Sequence, residues 1–323
     1  MYYPKRLFIK KDLDISHFKN LGRYIKSMQY ESGAIPSDDD GFHDPWDHME
    51  SIMGLSFSNE YVASKLAFSW LIRNQNSDGS WFAKYKNEVP VEKNKPTHFG
   101  PYISVAALHF YKIFLDKDFL EELWPAIELA INFSLNLQIN NGTIPWSIDK
   151  HGEIENDFLI TGSSSILKSI ECGLAISKIL KKDKNLKNWI KSYELLSQAI
   201  KNPVGKFDFC KDRKRFSMDS YYPILSGCLD QNEIKSYLDK IFKDFYVKDI
   251  GIQCVIEEPW VTVAETSEFI ISLMIYGDQE RSVELLTDVL NITDENKIPY
   301  MGWQYEENIF CLLYTSPSPR DPS

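Results

Sequence analysis

Three acidic residues occur where a carboxylate could take part in chemistry, each near the start of a predicted helix and among aromatic side chains. Glu50 ends the segment Asp44-Pro-Trp-Asp-His-Met-Glu50, Asp219 lies in Met218-Asp-Ser-Tyr-Tyr-Pro223, and Glu265 follows Pro259-Trp-Val-Thr-Val-Ala. A carboxylate is costly to bury unless it is paired or functional. We therefore predict that Glu50, Asp219 and Glu265 act as acids or stabilise a positive charge.

The same loops contain polar and aromatic residues that could line a pocket. We expect them to bind the substrate, and no metal site is expected among them. The predicted substrate-binding residues are Asp44, Trp46, His48, Asp149, Thr161, Tyr221, Tyr222, Trp260, Thr262 and Trp303.

Several of these residues also have a purely structural interpretation. Asp44 fits a helix N-cap followed by Pro45 at the first helical position, with Asp47 at the third. His48 fits a buried core histidine. Thr161 or Ser163 fits the cap of another helix.

Carboxylates beside aromatic faces suit two chemistries. One is carbocation chemistry on an isoprenoid, in which an acid protonates the substrate and π faces stabilise the cation. The other is glycoside hydrolysis, in which two carboxylates act across an oxocarbenium-like centre and aromatic rings stack on the sugar. A third interpretation is a non-catalytic protein that binds a sugar or a lipid.

A repeated helix-ending pattern positions these loops. Gln75, Gly79 and Trp81 follow an amphipathic helix, and the same spacing occurs at Gln29/Gly33 and Gln138/Gly142. Weaker copies follow near residues 205, 251 and 297, so that the six stops are separated by intervals of 46 or 63 residues. Each interval has room for two helices, which indicates a repeat architecture.

Eleven helices are predicted, in two alternating kinds. Amphipathic helices end at the stops, whereas the helices between them are more apolar, as in Ser104-Val-Ala-Ala-Leu108. A helix that is apolar nearly all round is buried on several sides. The prediction is an all-α, α/α-toroid fold, a six-hairpin barrel with outer and inner helices. The predicted helices span 15–29, 47–57, 60–76, 100–115, 119–139, 162–180, 186–202, 218–229, 231–246, 262–276 and 279–292.

Composition excludes several classes of function. The 323 residues are 43% hydrophobic, and the formal charge of −10 without a basic stripe argues against nucleic-acid binding. We expect no signal peptide, because no apolar run of 7–15 residues follows the first residues, and no run of about 20 apolar residues that could span a membrane occurs. An odd number of cysteines, five, without a C-x-x-C pair favours a reducing compartment, so we predict a cytoplasmic protein.

The C-terminal residues do not fit the helical pattern. The segment Leu312-Leu-Tyr-Thr-Ser-Pro-Ser-Pro-Arg-Asp321 resembles a translated sequencing-adapter fragment. We expect one toroid domain over residues 1–310, truncated before its sixth inner helix, and a foreign tail over 311–323.

Two family resemblances bear on the reaction. The Gln75/Gly79/Trp81 repeats resemble those of terpenoid cyclase and protein prenyltransferase toroids, and five motifs look like a bacterial family labelled prenyltransferase. Those motifs are Asp44-Pro-Trp-Asp-His-Met-Glu50, Asp78-Gly-Ser-Trp81, Thr161-Gly-Ser-Ser-Ser165, Met218-Asp-Ser-Tyr-Tyr-Pro223 and Pro259-Trp-Val-Thr-Val-Ala-Glu-Thr266. The segment Leu123-Trp-Pro-Ala-Ile-Glu-Leu-Ala-Ile-Asn132 also resembles six-hairpin glucoamylase-type glycosidases.

The prenyltransferase resemblance implies an enzyme with a small isoprenoid substrate. Magnesium would be needed only if that substrate is a diphosphate, and the chain lacks the D-D-x-x-D and D-x-D-D motifs of such enzymes. The first prediction is therefore prenyltransferase or cyclase-like chemistry with Trp46, Tyr222, Trp260 and Trp303 as pocket walls. The alternative is a six-hairpin glycoside hydrolase that acts on a carbohydrate with the same carboxylates.

Overall fold

Eleven α-helices form the described part of the chain, which comprises residues 15–210 and 212–311 of the computed structural model, with side chains described from residue 20 onward. All eleven were predicted from the sequence, with ends within four residues of those observed. They are α1 Ile15–Met28, α2 Pro45–Phe57, α3 Tyr61–Asn74, α4 Ile103–Phe114, α5 Lys117–Leu135, α6 Ile160–Leu180, α7 Leu186–Lys201, α8 Met218–Ser226, α9 Gln231–Asp244, α10 Val263–Tyr276 and α11 Gln279–Val289.

Ten short β-strands of two to four residues connect the loops between the helices. The sequence did not predict them, because strands this short show no usable alternation. They are β1 Phe42–His43, β2 Lys84–Lys86, β3 Val89–Glu92, β4 Lys95–Pro96, β5 Ser147–Ile148, β6 Tyr246–Val247, β7 Gly251–Ile252, β8 Trp260–Thr262, β9 Gly302–Gln304 and β10 Ile309–Cys311.

Three strand pairs join segments that are separated by two helices along the chain. In antiparallel pairs, β1 joins β2, β4 joins β5, and β8 joins β9. The sheets therefore hold together the loops that carry the predicted site residues. The remaining pairs, β2–β3, β6–β7 and β9–β10, are local hairpins.

The helices divide into the two kinds that the sequence predicted. The more apolar helices α2, α4 and α6 pack on one another in turn, and α8 packs on α10. Each also packs on an amphipathic neighbour, as α6 does on α5 and α7. The core is formed by residues such as Met49, Ile170 and Phe269, none of which has measurable solvent exposure.

Three of the helix stops share one glutamine–glycine turn. Gln75 Nε2 donates to Gly79 O at 3.1 Å and to Ala126 O of the next amphipathic helix at 3.0 Å. A Cβ on Gly79, whose φ is +95°, would lie 2.3 Å from Leu129 O of that helix. Glycine thus permits both the left-handed conformation and the close approach. The pairs Gln29/Gly33 and Gln138/Gly142 repeat this geometry against α3 and α7.

The sixth stop has the same turn without a glycine. Lys297 adopts a left-handed φ of 64°, and its N–H donates to Asp294 O at 3.0 Å. The corresponding bond in the second stop runs from Gly79 N to Asn76 O at 2.9 Å. The turn therefore persists where the sequence signal weakens. At the fourth stop, by contrast, a Cβ added to Gly205 would meet nothing within 4 Å, so that copy lacks the packing role.

The contacts divide the chain into two compact units. One comprises residues 18–210, and the other contains 212–311. We describe the two units separately below. The prediction of one domain over residues 1–310, truncated before its sixth inner helix, stays a prediction. Of the predicted foreign tail over 311–323, only Cys311, at the end of β10, lies among the described residues.

Candidate active site

The first cluster of predicted residues begins at the start of α2, in the 18–210 unit. Asp44 is the N-cap, and its Oδ1 accepts a hydrogen bond from Asp47 N at 2.9 Å, with Pro45 at the first helical position. This confirms the capping interpretation of that segment. Glu50 lies one turn further along, is half-buried, and shares a helical face with Asp47.

Four aromatic rings form a stack beside the start of α2. The Trp46 ring lies on Tyr102 with centroids 3.8 Å apart and planes 7° apart. Trp46 also contacts His98 in a tilted arrangement with centroids 5.5 Å apart, and His98 stacks on Trp146 at 4.3 Å. Trp46 and His98 are buried, whereas Tyr102 and Trp146 are half-buried at the ends. We call these four residues the aromatic stack.

His48 is placed in the core of the same unit. Its side chain has no solvent exposure, and its Nε2 lies 3.0 Å from Ala67 O of α3. Burial lowers its pKa to about 3. His48 therefore has the position of a neutral core histidine, which was the structural interpretation of this residue.

The expected caps of α6 are wrong. The helix begins at Ile160, so its N-cap is Leu159, which provides no side-chain cap. Thr161 and Ser163 instead lie within the first turn, and their buried hydroxyls find no hydrogen-bond partner among the described residues. The adjacent Gly162 contacts Trp146 closely, since a Cβ there would lie 3.0 Å from the ring.

Asp149 organises a surface turn. Its Oδ1 accepts hydrogen bonds from His151 N at 2.8 Å and from Glu153 N at 2.9 Å. These backbone donors lower the pKa of its carboxyl group, the Glu153 N–H contributing most. The structure therefore shows Asp149 stabilising its own turn, and its predicted contact with a substrate stays a prediction.

In the 212–311 unit, Asp219 forms a buried ion pair. Arg213 Nε and Nη2 donate to its two carboxylate oxygens at 3.0 Å each, and both side chains are less than a tenth exposed. Burial raises the pKa of Asp219, against the opposing charge of Arg213. Because Arg213 occupies both oxygens, this geometry suits a structural carboxylate better than the acid role that the sequence suggested.

Two predicted binding residues, Tyr221 and Tyr222, hold a glutamate that was not predicted. Tyr221 Oη donates to Glu268 Oε2 at 2.6 Å, and Tyr222 Oη donates to Glu268 Oε1 at 2.7 Å. Both tyrosine rings are buried. Burial, and then the nearby Glu268 and Glu265 charges, raise the pKa of Tyr221 well above its ordinary value.

Glu265 lies one turn before Glu268, at the start of α10. Thr262 is the N-cap of this helix, and its hydroxyl contacts the Glu265 carboxylate. Glu265 is half-buried, and its position in the first turn favours a negative charge through the helix dipole. Thr262, Glu265 and Glu268 thus belong to one connected group with the two tyrosines.

The two predicted tryptophan walls lie on a small sheet, Trp260 on β8 and Trp303 on β9. Trp303 pairs with Val261 in the ladder, stacks on Phe310 at 5.4 Å, and donates through Nε1 to Asn308 at 3.2 Å. Both tryptophans are half-buried. The β8 strand leads directly into the α10 helix that carries Glu265.

Five residues of the aromatic stack and of the carboxylate group were not among the predicted site residues, namely His98, Tyr102, Trp146, Arg213 and Glu268. His98 and Tyr102 lie in the stretch between β4 and α4, which contains no repeat or acidic motif. Arg213 lies in the basic run 211–215, which gives no sign of burial in the sequence. The other two lie near predicted residues, because Trp146 precedes Asp149 by three residues and Glu268 follows Glu265 by one helical turn.

Neither a metal centre nor a membrane span is found among the described residues. No group of three or more His, Cys, Asp or Glu side chains there could hold a metal ion. Within the same ranges, no helix is long and apolar enough to cross a membrane. The clusters described above contain carboxylates, hydroxyls and aromatic rings, and carboxylates can act in acid–base chemistry.

No family model matches the chain. A curated relative is the MMP endo-(1,4)-3-O-methyl-alpha-D-mannosidase of Mycolicibacterium hassiacum, which is 33% identical over 283 residues, or 88% of this chain and 77% of the relative. An uncharacterized glycosyl hydrolase of Methanocaldococcus jannaschii is 28% identical over 152 residues, 46% of this chain and 23% of the relative. The chain belongs to the family of the M. hassiacum mannosidase.

Solved structures agree on the fold. A glycosidase in complex with glucose matches with a TM-score of 0.73 at 11% identity, covering 91% of this chain and 89% of the other. A mannosylglycerate hydrolase of Thermus thermophilus matches with 0.65 at 11% identity, covering 85% and 91%. A D-mannose isomerase matches with 0.66 at 10% identity, covering 94% and 95%. The chain thus has the predicted α/α-toroid fold, which hosts more than one reaction.

The first prediction for the reaction is wrong. The relationship to a mannosidase overturns the prenyltransferase or cyclase-like interpretation and favours the glycosidase alternative. The misleading signal was the glutamine–glycine turn. It specifies how one helix ends against the next, a requirement of helix packing that is independent of the substrate.

Proposed function

We propose that the chain is a glycoside hydrolase that cleaves an α-mannoside. The observation that carries the proposal is its membership of the mannosidase family. That enzyme's name specifies an endo-acting cleavage of (1,4)-linked 3-O-methyl-α-D-mannose. The first substrate class to test is therefore an α-(1,4)-mannose oligosaccharide, with and without 3-O-methyl groups.

The carboxylates of each unit support this chemistry. Glycoside hydrolysis needs two carboxyl groups. One protonates the leaving oxygen, and the other either activates a water molecule or attacks the sugar as a nucleophile. The 212–311 unit offers Glu265 at the start of α10, half-buried and bonded to Thr262. The 18–210 unit offers Glu50 and Asp47 on one face of α2. Of these, Glu265 is our first candidate for a catalytic residue.

The aromatic stack supports a carbohydrate as the substrate. Tyr102 and Trp146 are half-buried at the two ends of the stack, while the rings between them are buried. An exposed aromatic face packs well on the apolar face of a pyranose ring, and the stack fixes the orientation of that face. Trp146 also lies against Gly162 in the first turn of α6.

The test is hydrolysis of a defined oligosaccharide panel by the full chain and by Glu265→Gln. We expect cleavage of α-(1,4)-mannose oligosaccharides, and a decrease in kcat of about 10³-fold or more in the variant, because an essential proton-transfer group is lost. Product release followed by chromatography measures both. The matched control is Glu280→Gln, an exposed glutamate at the start of α11, which should retain full activity.

Two results would contradict the proposal. Absence of hydrolysis across α-mannosides, α-glucosides and their methylated forms, by a chain that melts cooperatively, would reject the activity. Hydrolysis that Glu265→Gln leaves unchanged would keep the activity but reject the assigned residue. In that case, Glu50→Gln and Asp47→Asn are the next variants.

A further inference from the structure

A second glutamate on α10 is held by two hydroxyl donors. Glu268 accepts from Tyr221 Oη at 2.6 Å on one carboxylate oxygen and from Tyr222 Oη at 2.7 Å on the other. Distances of this length are typical of O–H donors to an ionised carboxylate. Two such donors favour the charged form of the acceptor, so these hydrogen bonds stabilise an ionised Glu268.

The two donors are themselves fixed in place. Tyr221 has no solvent exposure and Tyr222 is 7% exposed, with ring centroids 5.4 Å apart. Both lie on α8, whose first turn is anchored by the bidentate pair between Asp219 and Arg213. Because burial and the adjacent Glu268 raise the pKa of Tyr221, its phenol retains the proton that it donates.

Glu268 lies one helical turn from Glu265. Residues three apart on a helix have neighbouring side chains, with Cβ atoms about 5–6 Å apart. A fixed negative charge at that distance makes it harder for a second carboxylate to lose its proton. The N-terminus of α10 and the Thr262 hydroxyl act in the opposite direction, so the two influences on Glu265 compete.

The elements packed against α10 carry other ionisable groups. From α8 come Tyr221, Tyr222 and the paired Asp219, with Lys240 of α9 near that aspartate. On α11, Arg281 bonds to Asp278. The strands β7 and β8, which also pack on α10, contain no ionisable side chain. Glu268 and Glu265 are three residues apart on α10, so their side chains lie on the same face of that helix.

We propose that Glu268 is a positioning residue for Glu265: a carboxylate kept ionised by Tyr221 and Tyr222, it raises the proton affinity of Glu265. The inference rests on the proposed glycosidase function for its purpose, since an acid–base carboxylate works best when its proton affinity matches the working pH. Its physical content, the coupling between two carboxylates, is independent of that function.

The direct test is a titration of Glu265 by NMR, with glutamate labelled at the carboxyl carbon and the signal assigned through Glu265→Gln. In Glu268→Gln we expect the titration midpoint of Glu265 to fall by roughly one pH unit. The glutamine keeps the side-chain shape, accepts from one tyrosine and donates to the other, so that only the charge is removed. Glu280→Gln is the matched control for removal of a distant charge, and it should leave the midpoint unchanged.

A midpoint for Glu265 that does not move in Glu268→Gln would overturn the proposal. Should that variant fail to fold, the double variant Tyr221→Phe/Tyr222→Phe tests the same coupling. It should raise the titration midpoint of Glu268 and lower that of Glu265, and the opposite pattern or no change would again reject the proposal.

The pH dependence of activity separates this proposal from the glycosidase assignment. If the chain hydrolyses the panel, the limb of the kcat profile governed by Glu265 should move to lower pH in Glu268→Gln, while KM changes little. A merely structural role for Glu268 would lower kcat without moving that limb. If the chain hydrolyses nothing, the NMR titration still decides the coupling, so each idea can fail alone.

Discussion

The two units of the chain form their candidate clusters from different chemistry. In residues 18–210 the rings of the aromatic stack support one another, with centroid distances of 3.8–5.5 Å. In residues 212–311 the carboxylates of Asp219, Glu265 and Glu268 are each held by a donor, an arginine, a threonine or two tyrosines. The first cluster is held by ring packing, whereas the second contains charged groups held by hydrogen bonds.

Under the proposed glycosidase function, the two clusters would perform different tasks. A neutral aromatic wall recognises the shape of a sugar without changing the proton affinity of nearby acids. A set of carboxylates that differ in their donors can divide the proton-transfer work, because each donor shifts proton affinity by a different amount. The predictions below test whether the two clusters behave in these separate ways.

The largest stability effect is expected in the aromatic stack. Trp46→Ala removes a buried ring that contacts both Tyr102 and His98, and should lower the free energy of unfolding by about 3–5 kcal/mol. Urea denaturation measures the loss. Because the loss comes from ring packing, which salt screens little, it should be nearly the same at low and at high salt.

Trp146→Ala is the matched variant at the half-exposed end of the stack. Under the glycosidase proposal it should raise KM more than it lowers stability, since Trp146 is half-buried and part of its ring is accessible to a sugar. A loss of stability equal to that of Trp46→Ala, with KM unchanged, would make the stack a core feature alone.

A smaller effect should appear as acid sensitivity from His48. Its pKa is about 3 in the folded chain against 6.5 as the ordinary value, so between these values the unfolded chain binds a proton that the folded chain does not. The contribution of His48 is therefore complete above pH 6.5 and is lost as the pH falls toward 3. Between pH 7.5 and 5, this residue should remove about 2 kcal/mol of the free energy of unfolding.

His48→Gln isolates that contribution, because glutamine can donate to Ala67 O but does not titrate. The free energy of unfolding of the variant should fall less than that of the parent over the same pH interval. Equal pH dependence in the two proteins would show that His48 is not the group responsible.

The smallest effect concerns the helix stops. Lys297 holds a left-handed φ of 64°, a conformation that glycine adopts without strain. Lys297→Gly should therefore increase the free energy of unfolding by about 0.5–1 kcal/mol, part of the gain being offset by the greater freedom of glycine in the unfolded chain. Thermal denaturation at neutral pH measures the change.

The opposite substitution at the second stop sharpens the same comparison. Gly79→Ala adds a Cβ 2.3 Å from Leu129 O in a backbone with a φ of +95°, so it should cost about 2 kcal/mol or more. If Gly79→Ala did not lower the free energy of unfolding, the close approach of the turn to the next helix would not be the reason that glycine is needed at this position.

Much of the fold could be predicted because its signals are local. Apolar periodicity gave all eleven helices, and the Asp44-Pro45 pair gave the start of α2 through a cap that needs only neighbouring residues. The glutamine–glycine turn was also predictable, since Gln75 bonds to both its own loop and the next helix. The same turn misled the functional interpretation, because it encodes packing and carries no information about the substrate.

The sites were predictable only in part. Tyr221, Tyr222 and Glu265 were predicted as site residues from residue types at a helix start, and their roles stay predictions. The hydrogen bonds of the two tyrosines to Glu268 depend on the contact between α8 and α10. The ion pair of Arg213 with Asp219 was missed, because a basic run shows no sign of being buried. The start of α6 was predicted two residues too late. For that reason Thr161 and Ser163, whose hydroxyls are buried in the first turn, were interpreted as caps.

The sequence by itself determined the alternation of helices, the turns that end three of them and the types of side chain available for chemistry. These depend on periodicity and on bonds between residues close in the chain. Tertiary structure decided which carboxylates are paired, which rings stack and which histidine stays neutral. Those outcomes depend on burial and on partners far along the chain, such as Ala67 for His48 and Tyr221 for Glu268, and such partners leave no local pattern.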